Sequence, residues 1–182
     1  MTRSTFADVE IPDLSVYDFL FGSLSEEEKG KVALIDGASG TSLTYGQLVS
    51  QIDAVAGALA ARGVTPGTTI GLLCPNAPAF AVVFHGILRA GGIVTTINSL
   101  YTPDQIASQL KDAGATWLFT VTPLLTGASA AAEEAGIAAD HLVVMDGAEG
   151  HPSLRDLIAQ QATPPDVRFD PATQVAVLPY SS

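Results

Sequence analysis

From Thr68 onward, short runs of β-branched and apolar residues alternate with longer stretches of helical periodicity, and Gly, Pro or Asn marks each switch. That alternation constrains the fold most. It predicts βαβ units, whose successive strands lie parallel and whose crossovers are right-handed. Residues 69–74 read as a strand halted by Pro75-Asn76, and Asn76 is expected to cap a helix running to about Ala90. In that helix Phe80, Val83, Phe84, Ile87 and Leu88 fall at i, i+3, i+4, i+7 and i+8, an apolar stripe able to lie on a sheet. Gly91-Gly92 ends it, and residues 93–97 read as the next strand, followed by a loop through Asn98 and Tyr101.

Thr102-Pro103-Asp104-Gln105 sets a hydroxyl at N-cap, proline at N1, a carboxylate in the first turn and an amide at N3, which predicts a helix over 103–113. After Gly114, residues 115–120 carry Trp117, Leu118 and Phe119, as a strand buried on both faces would. An Ala-rich helix from about Pro123 to Ala135, a strand over 141–145, a turn at Asp146-Gly147 and a short helix over 153–161 follow. Residues 166–173 read as a loop containing Pro171, and 174–178 as a last apolar strand. Ahead of Thr68, residues 32–36 and 41–43 can pair as a hairpin across 37–40. Thr44 and Gln47 frame a capping box that opens a helix to about Arg62, with Leu48, Ile52, Val55 and Leu59 facing the core. The expected fold class is α/β: a mostly parallel twisted sheet with helices on both faces. With 182 residues it has room for one domain, in which 1–67 is a leading hairpin and helix region and 68–182 the βαβ region.

Composition narrows the function classes. Eight Lys plus Arg against nineteen Asp plus Glu leave a net charge of −11, which disfavours nucleic acid as a partner because counterion release needs clustered cations. With 47% apolar and only 15% charged residues the chain has the apolar surface to fold. A single cysteine, Cys74, permits no internal disulfide and suits a reducing, cytoplasmic setting. The first ten residues lack a basic stretch followed by an apolar one, and His85 and Arg89 interrupt the longest apolar stretch. Secretion and a membrane span are therefore not expected. Abundant Ala, Gly and Val with few Lys suit a GC-rich bacterial coding sequence.

The candidate site lies at the end of the sequence. Residues 174–178 run through Pro179 into Tyr180-Ser181-Ser182, a strand delivering hydroxyl residues. In nucleotide-binding α/β proteins such a strand opens a Gly/Ser/Thr loop whose backbone N–H groups and hydroxyls surround phosphate oxygens. A plain tail that happens to end in Ser-Ser is the alternative. Other residues have structural readings as defaults. His85 reads as a packed or interfacial histidine in mid-helix, with no acid placed near it in sequence. His141 and His151 read as loop or cap residues. Glu26-Glu27-Glu28 reads as a solvated face or cap, since neighbours on a helix point apart. Cys74, in an apolar run with no nearby cation, reads as a small core residue. No G-x-G-x-x-G follows an expected strand, which weighs against a dinucleotide-binding dehydrogenase.

Several separated stretches occur in a telling order: Thr44-Tyr45-Gly46-Gln47-Leu48, Gly63-Val64-Thr65-Pro66-Gly67, Pro75-Asn76-Ala77-Pro78, the run from Leu88 through Ala90-Gly91-Gly92 and Thr95-Thr96 to Asn98, Tyr101-Thr102-Pro103, and Leu178-Pro179-Tyr180-Ser181-Ser182. Together they resemble the N-terminal part of the acyl-adenylate-forming ligases, and most of all the 4-coumarate–CoA ligase group. The first is similar to that family's T-Y-x-E-L element and the second to its G-V-x-x-G turn. The last matches the start of its phosphate loop, which continues G-T-T-G-x-P-K-G. The chain departs from the family with Gln47 for Glu, Thr68 for Asp and Ser99 for Pro, positions that bear on helix capping and turn stiffness.

The resemblance implies that Ser181 and Ser182 contact ATP phosphates, that no catalytic or metal-ligating residue lies in this chain, and that ATP, Mg²⁺ and coenzyme A serve the larger parent protein. It implies a ligase that activates an aryl or fatty carboxylate as an acyl-adenylate and transfers it to coenzyme A, with the 182-residue chain alone inactive. A carboxylic acid and coenzyme A are then the small-molecule partners, and association through an exposed sheet edge, as in a homodimer, is expected. Two further classes stay open at this point: a non-enzymatic dimerisation or pseudo-ligase module, and another adenylate-forming enzyme such as a peptide-synthetase adenylation domain or a luciferase-like oxygenase.

Overall fold

A computed structural model describes Phe6 and residues 9–181. The leading region forms from local signals. Ser15 caps the short helix α1 (Val16–Phe21), accepting from the Asp18 N–H. Ser25 and Glu28 form a reciprocal capping box on α2 (Glu26–Lys29), where Glu26 pairs with Lys29 at 2.7 Å and Glu27 with Lys31 at 3.1 Å. The three glutamates thus serve as an exposed helix start, as expected. The hydrogen bonds from the Ser25 N–H and hydroxyl hold the Glu28 carboxyl below the usual range. Strand β1 (Val32–Ile35) pairs antiparallel with β2 (Ser42–Thr44), within a residue of the expected hairpin. The Asp36 carboxylate closes the turn by accepting from the Ala38 and Ser39 N–H groups. Thr44 and Gln47 then build the expected capping box on α3 (Tyr45–Ala61), and Leu48, Ile52, Val55 and Leu59 are all buried.

The alternating region yields β3 (Thr69–Leu72), α4 (Pro78–Arg89), β4 (Ile93–Thr96), α5 (Pro103–Asp112), β5 (Trp117–Thr120), α6 (Leu125–Glu134), β6 (Leu142–Val144) and α7 (Leu154–Ala159). The four strands form one parallel sheet in the order β4-β3-β5-β6. Every residue of the central strands β3 and β5 is buried, which is why their sequences show no polar alternation. Two apolar clusters sandwich the sheet. One joins α3, α4 and α7 to Ile70, Leu72, Phe119 and Val143. The other joins α5 and α6 to Leu118 and Leu142 on the opposite face. Two glycines permit this packing. A Cβ at Gly71 would lie 2.7 Å from Leu110 Cδ2, and one at Gly86 would lie 2.6 Å from Val55 Cγ1, where α3 and α4 meet.

Three expectations need correction. Asn76 does not cap α4: Ala77 takes the N-cap position with an extended backbone and no side-chain bond, and Pro78 at the first turn has no N–H to satisfy. The Ala-rich helix opens as a 3₁₀ turn, Thr122–Leu124, before α6 begins. Residues 174–178 form a single bridge, not a strand, with Val177 parallel to Val94. The Val94 N–H donates to the Ala176 carbonyl at 3.0 Å, and the Leu178 N–H donates to the Val94 carbonyl at 2.8 Å. Upstream, the Asp170 carbonyl accepts from the Thr173 and Gln174 N–H groups and curls the chain into a turn, while downstream Pro179 has no N–H to donate. Among the described residues no helix is long and apolar enough to cross a membrane.

Candidate functional site at the carboxyl edge of the sheet

In an open parallel α/β sheet, ligands bind beyond the carboxyl ends of the strands. There β3 leads into Cys74-Pro75-Asn76 and β4 into Ile97-Asn98-Ser99. Because Val177 runs parallel to Val94, residues 179–181 emerge at the same edge. An open groove is lined there by Asn76, Phe80, Thr96, Asn98, Tyr101, Gln109 and Tyr180. Ser181 is exposed. Ser182, the second expected phosphate contact, lies outside the described residues.

Polar contacts anchor this emerging segment. Gln109, buried on α5, donates from Nε2 to the Thr95 hydroxyl at 2.8 Å and to the Thr96 carbonyl at 3.0 Å. The Thr95 hydroxyl donates in turn to the Leu178 carbonyl at 3.0 Å. The Tyr180 phenol donates to the Asp112 carboxylate, one turn beyond Gln109 on the same helix, and that bond raises the phenol's pKa. Sequence reasoning missed this network. Its one visible signal was Gln109 itself, a polar residue inside the apolar stripe of Ile106 and Leu110.

The other singled-out residues take structural places. The His85 ring meets Phe21 and Phe84 edge-on, both at 5.2 Å, and its Nδ1 has no hydrogen-bond partner. Burial pushes its pKa below the ordinary value, so it stays a neutral packing residue. The His141 ring stacks on Trp117 at 3.7 Å, and its Nδ1 lies 3.0 Å from the Thr116 carbonyl. His151 Nδ1 is buried without a partner in the loop before α7. Cys74 donates to the Pro75 carbonyl at 3.1 Å. Desolvation, with the Asp146 carboxylate adding to it, pushes its thiol up to about 11, so it remains protonated and unreactive near neutral pH.

A second unforeseen cluster lies at the far end of α4. Asp53 Oδ1 accepts from the Tyr17 phenol at 2.9 Å and from Arg89 Nε at 3.3 Å, and Arg89 Nη1 donates to the Pro165 carbonyl at 3.1 Å. Desolvation, then the hydrogen bond and charge of Asp53, pushes Tyr17 up to about 12. This cluster joins α1, α3, α4 and the 165 loop away from the carboxyl edge, and so holds the leading region to the sheet layers. Among the described residues no three His, Cys, Asp or Glu side chains converge to hold a metal.

A parallel sheet whose carboxyl edge receives a hydroxyl-bearing segment is the arrangement of a nucleotide-binding α/β protein. Residues 23–182 match the family described as AMP-binding enzyme, and the chain belongs to that family. It is 37% identical over 183 residues to 4-coumarate–CoA ligase 5 of Oryza sativa subsp. japonica, an alignment covering 99% of this chain and 33% of the rice protein. Among solved structures, the anthranilate CoA ligase AuaEII in complex with anthranoyl-AMP superposes with a TM-score of 0.83 and 26% identity, over 94% of this chain and 32% of that one. A benzoate CoA ligase from Burkholderia xenovorans LB400 gives a TM-score of 0.73 and 31% identity, over 88% and 30% of the respective chains. The chain thus spans about a third of the length of these relatives.

Proposed function

We propose that this chain is the amino-terminal part of an ATP-dependent, AMP-forming acid–CoA ligase acting on an aryl or fatty carboxylate. Residues 1–67 form a leading region and 68–182 the βαβ region of one partial domain. A carboxylate oxygen attacks the α-phosphorus of ATP, the bond to pyrophosphate breaks, and an acyl-adenylate forms. The coenzyme A thiol then attacks the acyl carbon, loses its proton and displaces AMP. Holding a triphosphate while a weak anionic nucleophile approaches is electrostatic work, which calls for preorganised N–H and hydroxyl donors, with Mg²⁺ as counter-ion to the phosphates. Ser181 and Ser182 are proposed as the first of those hydroxyl donors. The observation carrying this reading is the parallel course of residues 176–178 beside β4, which leads Leu178-Pro179-Tyr180-Ser181 to the carboxyl edge. The names of the relatives, which concern coumarate, anthranilate and benzoate, favour an aromatic acid. The single protonated thiol is compatible with a reducing cytoplasm.

The codons downstream of Ser182 in the natural gene test the reading. A Gly-Thr-Thr-Gly-x-Pro-Lys-Gly continuation is expected, and the product of that reading frame should release pyrophosphate when given ATP and an aromatic acid. A stop codon at this point would instead favour a non-enzymatic module. Association through the open edge belongs to the same reading, since Val175 and Tyr180 remain exposed beside the bridge. Light scattering at rising concentration is expected to show species heavier than 18.7 kDa, and a single monomeric mass throughout would overturn the association.

A further inference from the structure

We infer that Thr95 and Gln109 are positioning residues. Together they end the edge pairing at Leu178 and set the direction in which residues 179–181 leave the sheet. Val94 turns both its N–H and its carbonyl toward the outer edge, where they bond Ala176 and Leu178. By the period of two along a strand, Thr96 faces the same edge. In a continuing parallel ladder, the Leu178 carbonyl would accept from the Thr96 N–H, and the Thr96 carbonyl from the Tyr180 N–H. Side chains take those two acceptors instead. The Thr95 hydroxyl occupies the Leu178 carbonyl at 3.0 Å, and Gln109 Nε2 occupies the Thr96 carbonyl at 3.0 Å.

The chain of donors has one possible direction. The Thr96 carbonyl can only accept, so the amide nitrogen of Gln109 must face it. The same nitrogen donates to Thr95 at 2.8 Å, and the Thr95 hydroxyl must therefore spend its proton on Leu178. Both side chains are buried, Thr95 completely and Gln109 to within 4%. At such sites a missing partner is costly, which makes the arrangement rigid. Pro179 cannot rejoin the ladder, and Asp112 catches the Tyr180 phenol from the same helix. Helix α5 thus holds the departing segment on both sides of Pro179. That this orientation serves ATP binding rests on the ligase reading above.

Amide hydrogen exchange of the 182-residue chain tests the clip without ATP. In Thr95→Val, which keeps the shape and loses the hydroxyl, the Leu178 N–H is expected to exchange about tenfold faster, the effect of one lost net hydrogen bond. Ile70 and Val143 should keep their rates. Thr95→Ser should restore Leu178, and Gln109→Met should reproduce the loss. Leu178 exchange unchanged in Thr95→Val, or an equal acceleration at Ile70 and Val143 that serine does not reverse, overturns the inference. In the product of the natural reading frame, Thr95→Val is expected to raise KM for ATP about tenfold and leave KM for the acid unchanged, with serine restoring it. An altered Leu178 with an unchanged KM for ATP would keep the clip and overturn its link to the phosphate loop.

Discussion

Phe119→Ala is expected to cost about 3–5 kcal/mol, the usual range for deleting a fully buried aromatic ring from a core. Phe119 lies on the central strand β5, completely buried, in register with Leu72 on one side and Val143 on the other. Its backbone carbonyl also accepts from the Leu73 N–H at 2.9 Å, so the main chain there is held and cannot readily collapse into the vacated space. Since folded domains have only about 5–15 kcal/mol of stability in total, a large share of this chain's margin would go. Urea unfolding followed by tryptophan fluorescence measures it, since the single Trp117 sits two residues away on the same strand. Val175→Ala makes the contrast: its side chain is 44% exposed at the sheet edge, and the change should stay within about 0.5 kcal/mol. A loss below about 1 kcal/mol for Phe119→Ala would contradict the close packing of this face against α3, α4 and α7.

The 182-residue chain by itself is expected to release no pyrophosphate from ATP above the enzyme-free rate, whichever aryl or fatty acid is supplied. Adenylation requires charge stabilisation at the phosphates, and losing a single preorganised donor of this kind lowers kcat by about 10²–10³. At the carboxyl edge the described residues supply only neutral donors, such as the exposed Ser181 and the Asn98 of the groove, with no Lys or Arg in the groove lining and no cluster of acids to bind a metal. A coupled pyrophosphate assay with 4-coumarate, benzoate and a medium-chain fatty acid reads the result. Turnover above background, lost on Ser181→Ala, would mean that the chain carries a complete phosphate site, and would overturn the division of labour proposed for it.

The helices that could be read correctly in advance carry their instructions locally. Thr44 with Gln47 and Thr102 with Gln105 lie three residues apart, and each pair closes its capping box where the sequence places it. The stripe of Leu48, Ile52, Val55 and Leu59 is buried because helical spacing alone puts those side chains on one face. Asn76 failed as a cap for an equally local reason: Pro78 brings the helix start forward, so that Ala77 holds the boundary. The site was half legible. The hydroxyl run at the end of the sequence and its arrival beside a parallel strand could be anticipated, but the side chains that hold it could not.

Between residues 32 and 161 the order of the strands and main helices, the parallel sense of the sheet and the burial of its central strands were determined by the sequence alone, because periodicity, caps and glycine breaks act over a few residues. Only the tertiary structure decided that β4 lies at the edge, that residue 177 meets residue 94 in a single bridge, and that Gln109, Thr95 and Leu178 form one directed chain of hydrogen bonds. Thr95 and Leu178 are 83 positions apart. No local pattern specifies such a meeting. It follows from the crossovers that place α5 on one face of the sheet and bring the end of the chain back to its outer edge.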